Sequence, residues 1–385
     1  MNTNRELVMI PGPTPVTEPI RKQLGRETAA FKDPNFVEDF KEVISDLTKL
    51  WNSSEVFVVS GSGTLAMEMA IANTLKETDS VLVISHGFFG DRMVDLCKRK
   101  GLDVDVLSSK WGKAISVEEI KEKLAKKKYK AVAVTHVDTS TGVKASLDQL
   151  GEVLDKHPET LFIVDGVCST AGEPEFMYEM GIDVLITASQ KAFGVPPGLA
   201  MVWVSEKAMS RREEIGDICE YYLDFDRWLP VMKNPDKYFG TPPVNLIWAL
   251  KEAVQIIKNE GLLERFKRHQ IRGRAVQKAL EGLGFEILAE ENVRASTLSN
   301  PLYPEGIEDG EFRKVLKEEG VVVAGGLGPY AGKLFRLGHM GNIDTNELVT
   351  VISAIERTLF RLDYPVEFGK GINILLENIM KKEKN

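Results

Sequence analysis

The chain has 385 residues, 43% of them hydrophobic and 28% charged, enough for a sizeable core and about two domains. A formal net charge of −8 leaves no basic footprint for nucleic acid or an anionic membrane surface, which points to small molecules or other subunits as partners. The three cysteines, Cys97, Cys168 and Cys219, form no C-x-x-C pair, so neither a disulfide framework nor a zinc or other metal site is expected, and the compartment reads as reducing cytoplasm.

The start, MNTNRELVMIPGPTPV, has an apolar run of only four residues before Pro11, too short for a secretory core. From about residue 55 to 205, short apolar runs alternate with helical patterns: EVFVVS (55–60), VLVIS (81–85), AVAVTHV (131–137), LFIVDGV (161–167), VLITAS (184–189) and LAMVWVS (199–205). This spacing predicts βα units and an α/β fold with a mostly parallel sheet covered on both faces. Sites in such sheets lie beyond the carboxyl ends of the strands. From about residue 245 a long helical stretch leads into a smaller α+β domain. Gly261 and Gly273 interrupt that stretch, so two or three helices are expected there. The expected division is 1–20 as a segment over the site, 21–255 as the large domain and 256–385 as the small one, with the final KKEKN a solvated tail.

Gly61-Ser62-Gly63-Thr64-Leu65-Ala66 follows a strand and opens a helix, as a dinucleotide-binding turn does. That reading, an NAD-dependent oxidoreductase, needs an acid at the end of the second strand, where this chain has Ser85-His86-Gly87. The turn still suits a single phosphate, through free backbone N–H groups, the helix dipole and two hydroxyls. It equally suits a plain strand-to-helix turn capped by Ser62 or Thr64.

Asp165 ends the apolar strand LFIVD, and Lys191 follows the next strand in DVLITASQK, so a carboxylate and an amine should face one cleft. Pyridoxal chemistry needs both: an amine to bond the carbonyl carbon, and an anion to keep the pyridine nitrogen protonated. Strand-end aspartates are often helix caps and most lysines are solvated. Lys191, however, sits among small and apolar residues, where a bare ammonium is costly to bury.

The ordered set PGPT (11–14), SGSGT (60–64), GFFGDR (87–92), H-x-D-TSTG (136–142), VDGVCS (164–169), SQKAFGVPPG (189–198), YFGTPP (238–243) and FRLGHMG (335–341) resembles the class V aminotransferases of fold type I. Within these it is similar to the serine-pyruvate and alanine-glyoxylate group. The resemblance implies pyridoxal 5'-phosphate as cofactor, Lys191 as the Schiff-base lysine and Asp165 as partner of the ring nitrogen. It implies Phe89 on the ring face, Ser62, Gly63, Thr64 and Gln190 around the phosphate, and either Thr139 or Ser140 near the ring substituents. Tyr238 and Thr241 would reach the phosphate of the neighbouring subunit in a homodimer. Arg336 would clamp the substrate carboxylate, and the segment at Gly12 would pass over the site and lend backbone N–H groups to the substrate.

The activity implied is transfer of the amino group of serine or alanine to glyoxylate or pyruvate. An aspartate- or glutamate-using aminotransferase remains open, because Lys32 or His339 could supply a second cation. A phosphonate aminotransferase fits less well: Phe31-Lys32-Asp33-Pro34 stands where related enzymes with phosphorylated substrates carry a His-Arg pair. A cysteine desulfurase would need a nucleophilic cysteine before the arginine, and residues 295–335 contain none. A non-catalytic binding protein would leave the lysine, aspartate and arginine without a role.

Overall fold

The computed structural model describes residues 6–383; the first five residues and the last two of the KKEKN tail lie outside it. Seven strands form the central sheet: β1 (Glu55–Gly61), β2 (Ser80–Ser85), β3 (Asp103–Ser108), β4 (Ala131–Thr135), β5 (Leu161–Asp165), β6 (Val184–Ala188) and β7 (Gly198–Val204). Their spatial order is β1-β7-β6-β5-β4-β2-β3. Every residue of β4, β5 and β6 is buried, as expected of apolar strands covered on both faces.

The sheet is parallel except for β7, which runs antiparallel to both β1 and β6. Chain length explains the exception. Only residues 189–197 join β6 to β7, too few for the dozen or more that a parallel crossover takes. That short return, which holds Lys191, is therefore forced to turn back at the carboxyl edge.

Five helices bear on the site. α1 (Pro34–Trp51) is capped by Asp33, whose carboxylate accepts from the amides of Asn35 and Phe36. α2 (Gly63–Thr74) leaves the glycine turn, and α3 (Phe88–Arg99) follows β2. α4 (Val244–Glu260) ends at Gly261, where φ is +81°, and α5 (Leu262–Gly282) follows at once. The expected break at Gly273 does not occur: α5 runs straight through it. A Cβ there would lie 2.6 Å from the Ser296 carbonyl oxygen, so this glycine permits close approach of the helix to the backbone at Ser296 rather than a turn.

Two apolar cores result, one around the sheet and α2, the other between α5, the helices Thr345–Arg361 and Lys370–Glu383, and short strands. Among those strands is β8 (Phe335–Gly338), flanked by Leu298–Ser299 and Ala324–Gly325. The first strand, Leu7–Val8, pairs with Val321–Val322, and Met9 is buried in the second core. No helix of the described residues is long and apolar enough to cross a membrane.

Candidate active site

Asp165 is the last residue of β5 and is 2% exposed. Its Oδ1 accepts from the Val167 amide at 3.0 Å and its Oδ2 from the Thr135 hydroxyl at 3.2 Å. Burial pushes this carboxyl up to about 6, against the pull of those two hydrogen bonds.

Lys191 lies in the β6–β7 return, and its Nζ donates to the carbonyl of Pro11. Its backbone is pinned from three sides. The Thr14 hydroxyl donates to the Lys191 carbonyl at 2.8 Å, the Gly194 amide donates to the same oxygen at 2.9 Å, and Arg265 of α5 donates to the Ala192 carbonyl at 2.7 Å. Arg265, fully buried, also donates to Ala171 and Asn342, so one guanidinium ties the lysine return to α5 and to the segment at Asn342.

At the start of α2 the Ser62 side chain caps the helix, accepting from Leu65 at 3.5 Å. A Cβ on Gly63 would fall 2.7 Å from Val167, so only glycine lets the turn lie against the strand end that carries Asp165. Thr64 Oγ1 accepts from Arg92 at 3.1 Å.

The loop 138–140 organises the opposite wall. α3 begins after Gly87, which has no side chain to cap it. Asp138 does so from the neighbouring loop: its Oδ2 accepts from the amides of Phe89 and Gly90 at 2.9 and 3.0 Å. Ser140 completes this cap, accepting from Phe88 and donating to Asp138 Oδ1 at 2.6 Å. The hydroxyl of Ser140 is thereby spent within the chain, and of the two neighbours it is Thr139 that lines the cleft.

The cleft itself measures about 150 Å³ and brings together Asp165, Lys191, Gln190, Phe89, Thr139 and the 62–64 turn. Arg92, Thr135 and Cys168 line it too. Sequence reading singled out none of these three, nor Asp138. Arg92 and Asp138 lay inside quoted motifs, and the D-T-S spacing is the pattern of an aspartate bonding the amide two residues on. A wider groove of about 890 Å³, lined by Lys121, Lys144 and Glu290 among others, gathers no such set.

Arg336, in β8, is half-buried. Its Nε donates to the Gly325 carbonyl at 2.8 Å, and no carboxylate of the described residues pairs with it. Burial holds its guanidinium below the usual arginine range. Gly12 crosses Lys191 with φ at +114°, and a Cβ there would stand 2.5 Å from Lys191 Cδ; its amide, expected to serve the substrate, instead donates to the Ile10 carbonyl at 2.7 Å.

Neither Arg336 nor Gly12 is among the residues that line the cleft, and four further predicted residues do not line it either. Tyr238 is 58% exposed, its hydroxyl 3.3 Å from that of Thr241, and neither lines the cleft of this chain. Lys32 is exposed. His339 is buried, with Nε2 2.9 Å from Ser299 Oγ, and burial pushes it down to about 4, so at neutral pH it is no cation.

Pyridoxal phosphate fits this set. The helix N-terminus and its hydroxyls suit a phosphate, and the Phe89 ring offers a flat apolar wall. Asp165 is an acid buried where a pyridine nitrogen could be met, and the buried Oε1 of Gln190 lacks a hydrogen-bond partner within the described chain.

Comparison with known proteins agrees. The family model Aminotransferase class-V matches residues 22–333. An uncharacterized aminotransferase of Methanocaldococcus jannaschii is 35% identical over 381 residues, 98% of each chain. The L-aspartate–glyoxylate aminotransferase of Paracoccus denitrificans is 33% identical, covering 96% of this chain and 95% of its own. The crystal structure of an alanine–glyoxylate aminotransferase from Nostoc sp. superposes with a TM-score of 0.88 at 32% identity, covering 93% of this chain and 96% of that one. The chain belongs to the class V aminotransferases, with the fold of the type I pyridoxal-phosphate enzymes and their dependence on that cofactor.

Proposed function

We propose that this aminotransferase moves the amino group of a small uncharged amino acid, serine or alanine, to glyoxylate or pyruvate. It does so in a ping-pong cycle, in the cytoplasm, as a homodimer whose Tyr238 and Thr241 complete the neighbouring site. The observation that carries the substrate reading is Arg336, a half-buried guanidinium with no carboxylate partner among the described residues. One planar fork suits one carboxylate. A second, side-chain carboxylate buried without a cation would cost several kcal/mol. His339 is neutral and Lys32 is exposed, so neither is a ready second cation. Glyoxylate as acceptor is supported by the names of two of the relatives.

The bound cofactor supplies an electron sink for the pair of electrons left when the substrate Cα loses its proton. The chain supplies the rest. Asp165, ionised beside a cationic ring, would hold the proton on the ring nitrogen, and Thr135 and the Val167 amide fix the direction of its carboxylate. Lys191 would hold the cofactor's carbonyl carbon until the substrate amine displaces it, and then carry the proton away from Cα. Arg336 would orient the substrate so that this Cα–H bond stands perpendicular to the ring.

Aspartate is the second reading, favoured by the name of the Paracoccus relative. Single-turnover rates of loss of the visible absorbance band, compared for serine, alanine, aspartate and glutamate, separate the two. Faster reaction with a dicarboxylate, slowed in Lys32→Ala, overturns the small-substrate reading and leaves the transamination chemistry standing.

A further inference from the structure

Of the residues that line the cleft, only Lys191 and Arg92 are cations. Lys191 would be committed to the cofactor's carbonyl carbon. A phosphate monoester brings a charge of about −1.5 to −2 at neutral pH, and a helix N-terminus answers roughly +0.5 of it. Within one chain, the rest of the charge balance falls to Arg92.

Its placement suits that duty. Arg92 lies in α3, and among the described residues no carboxylate forms an ion pair with it. Nη1 donates to Thr64 Oγ1 at 3.1 Å. A threonine hydroxyl has a single proton; when its oxygen accepts from a guanidinium, that proton is left to donate elsewhere, and the turn opens onto the cleft. The same guanidinium lies 4.8 Å from the centroid of the Phe89 ring and 5.6 Å from that of Phe88. One side chain thus touches both the phosphate seat and the wall expected to lie against the pyridine ring.

We infer that Arg92 is a cofactor-binding residue, which aims the Thr64 hydroxyl at the phosphate and neutralises the anion. This rests on the assignment of the phosphate to the 62–64 turn.

The test compares pyridoxal phosphate with pyridoxal, which lacks the phosphate, by absorbance titration of the full-length apoenzyme. Parent, Arg92→Gln, Arg92→Lys, Thr64→Val, Ser62→Ala and the Arg92→Gln/Thr64→Val double variant are measured, with circular dichroism to verify folding. Arg92→Gln should weaken pyridoxal phosphate by about 10- to 100-fold, the range of one charge-assisted hydrogen bond, and leave pyridoxal within about twofold. Arg92→Lys should recover part of the loss, since it keeps charge but not the fork. In the Thr64→Val background the effect of Arg92→Gln should shrink, because the two residues act through one hydrogen bond. Equal losses for both ligands, or none, overturn the inference. If Thr64→Val lowers selectivity for the phosphate and Arg92→Gln does not, Arg92 alone is wrongly assigned. If neither Thr64→Val nor Ser62→Ala changes selectivity, the phosphate seat is wrong and the inference falls with it.

Discussion

Thr135 and Asp165 are direct partners across adjacent parallel strands, and the threonine hydroxyl donates to Asp165 Oδ2 at 3.2 Å. The carboxyl is so well enclosed that its ionisation is delayed to about 6. An acid whose folded pKa lies above its unfolded value binds more protons when folded, so its contribution to stability is lost as pH rises through that interval. The cofactor-free protein should therefore lose stability between pH 3.8 and about 6 relative to Asp165→Asn, measured by urea unfolding across that range. With cofactor bound, the same variant should lose roughly 10²-fold or more in half-reaction rate, as when one preorganised charge is removed from a reacting centre. A parent-like rate would remove Asp165 from the mechanism.

Gly12 is expected to tolerate no side chain. In Gly12→Ala the new Cβ would overlap the Lys191 side chain and hold a φ of +114° that alanine avoids. The variant should fold, as judged by circular dichroism, yet lose about 10- to 100-fold in kcat through displacement of the amine. Unchanged kcat would mean that the first segment does not set the position of Lys191.

Truncating Arg336 should act on substrate carboxylates and spare the cofactor. Arg336→Ala is expected to reduce kcat/KM for the amino acid by about 10- to 100-fold, mostly through KM, with the visible cofactor spectrum intact. Arg336→Lys should fall between. A loss confined to kcat, with KM unchanged, would argue against a clamp.

Tyr238 and Thr241 are set apart from their own chain's cleft, and the expectation that they serve another subunit has a direct check. Lys191→Ala and a Tyr238→Phe/Thr241→Ala double variant should each be nearly inactive alone. Mixed under confirmed subunit exchange, they should regain up to about a quarter of parental activity, since half the dimers are then mixed and each carries one intact site. No rescue would place both residues outside any shared site.

What could be read from the sequence followed from how local each signal was. Asp165 and Lys191 were legible because apolar strands and their ends are written in consecutive residues, and a polar group at a strand end has one place to go. The antiparallel β7 was also within reach, from the shortness of 189–197. The choice between Thr139 and Ser140 was not, because it depends on a cap that Ser140 and Asp138 supply to a helix some fifty residues away. Arg92 stayed hidden for the same reason: its bond to Thr64 crosses between two helices. Gly273 misled because a glycine that admits a neighbouring backbone and one that ends a helix look alike in one chain.

The first segment also sets a limit on movement. Leu7 and Val8 are held to Val321 and Val322, Met9 accepts from the Gly338 amide, and five residues later Thr14 is bound to Gln190 and Lys191. Fully extended, the stretch from Met9 to Thr14 reaches at most about 18 Å. It is a leash between the two cores, and a turn closed by the Gly12 amide on the Ile10 carbonyl stores its slack. A motion that separated Arg336 from Lys191 beyond the reach of the closed turn would have to straighten it, and that would draw the Pro11 carbonyl away from the amine.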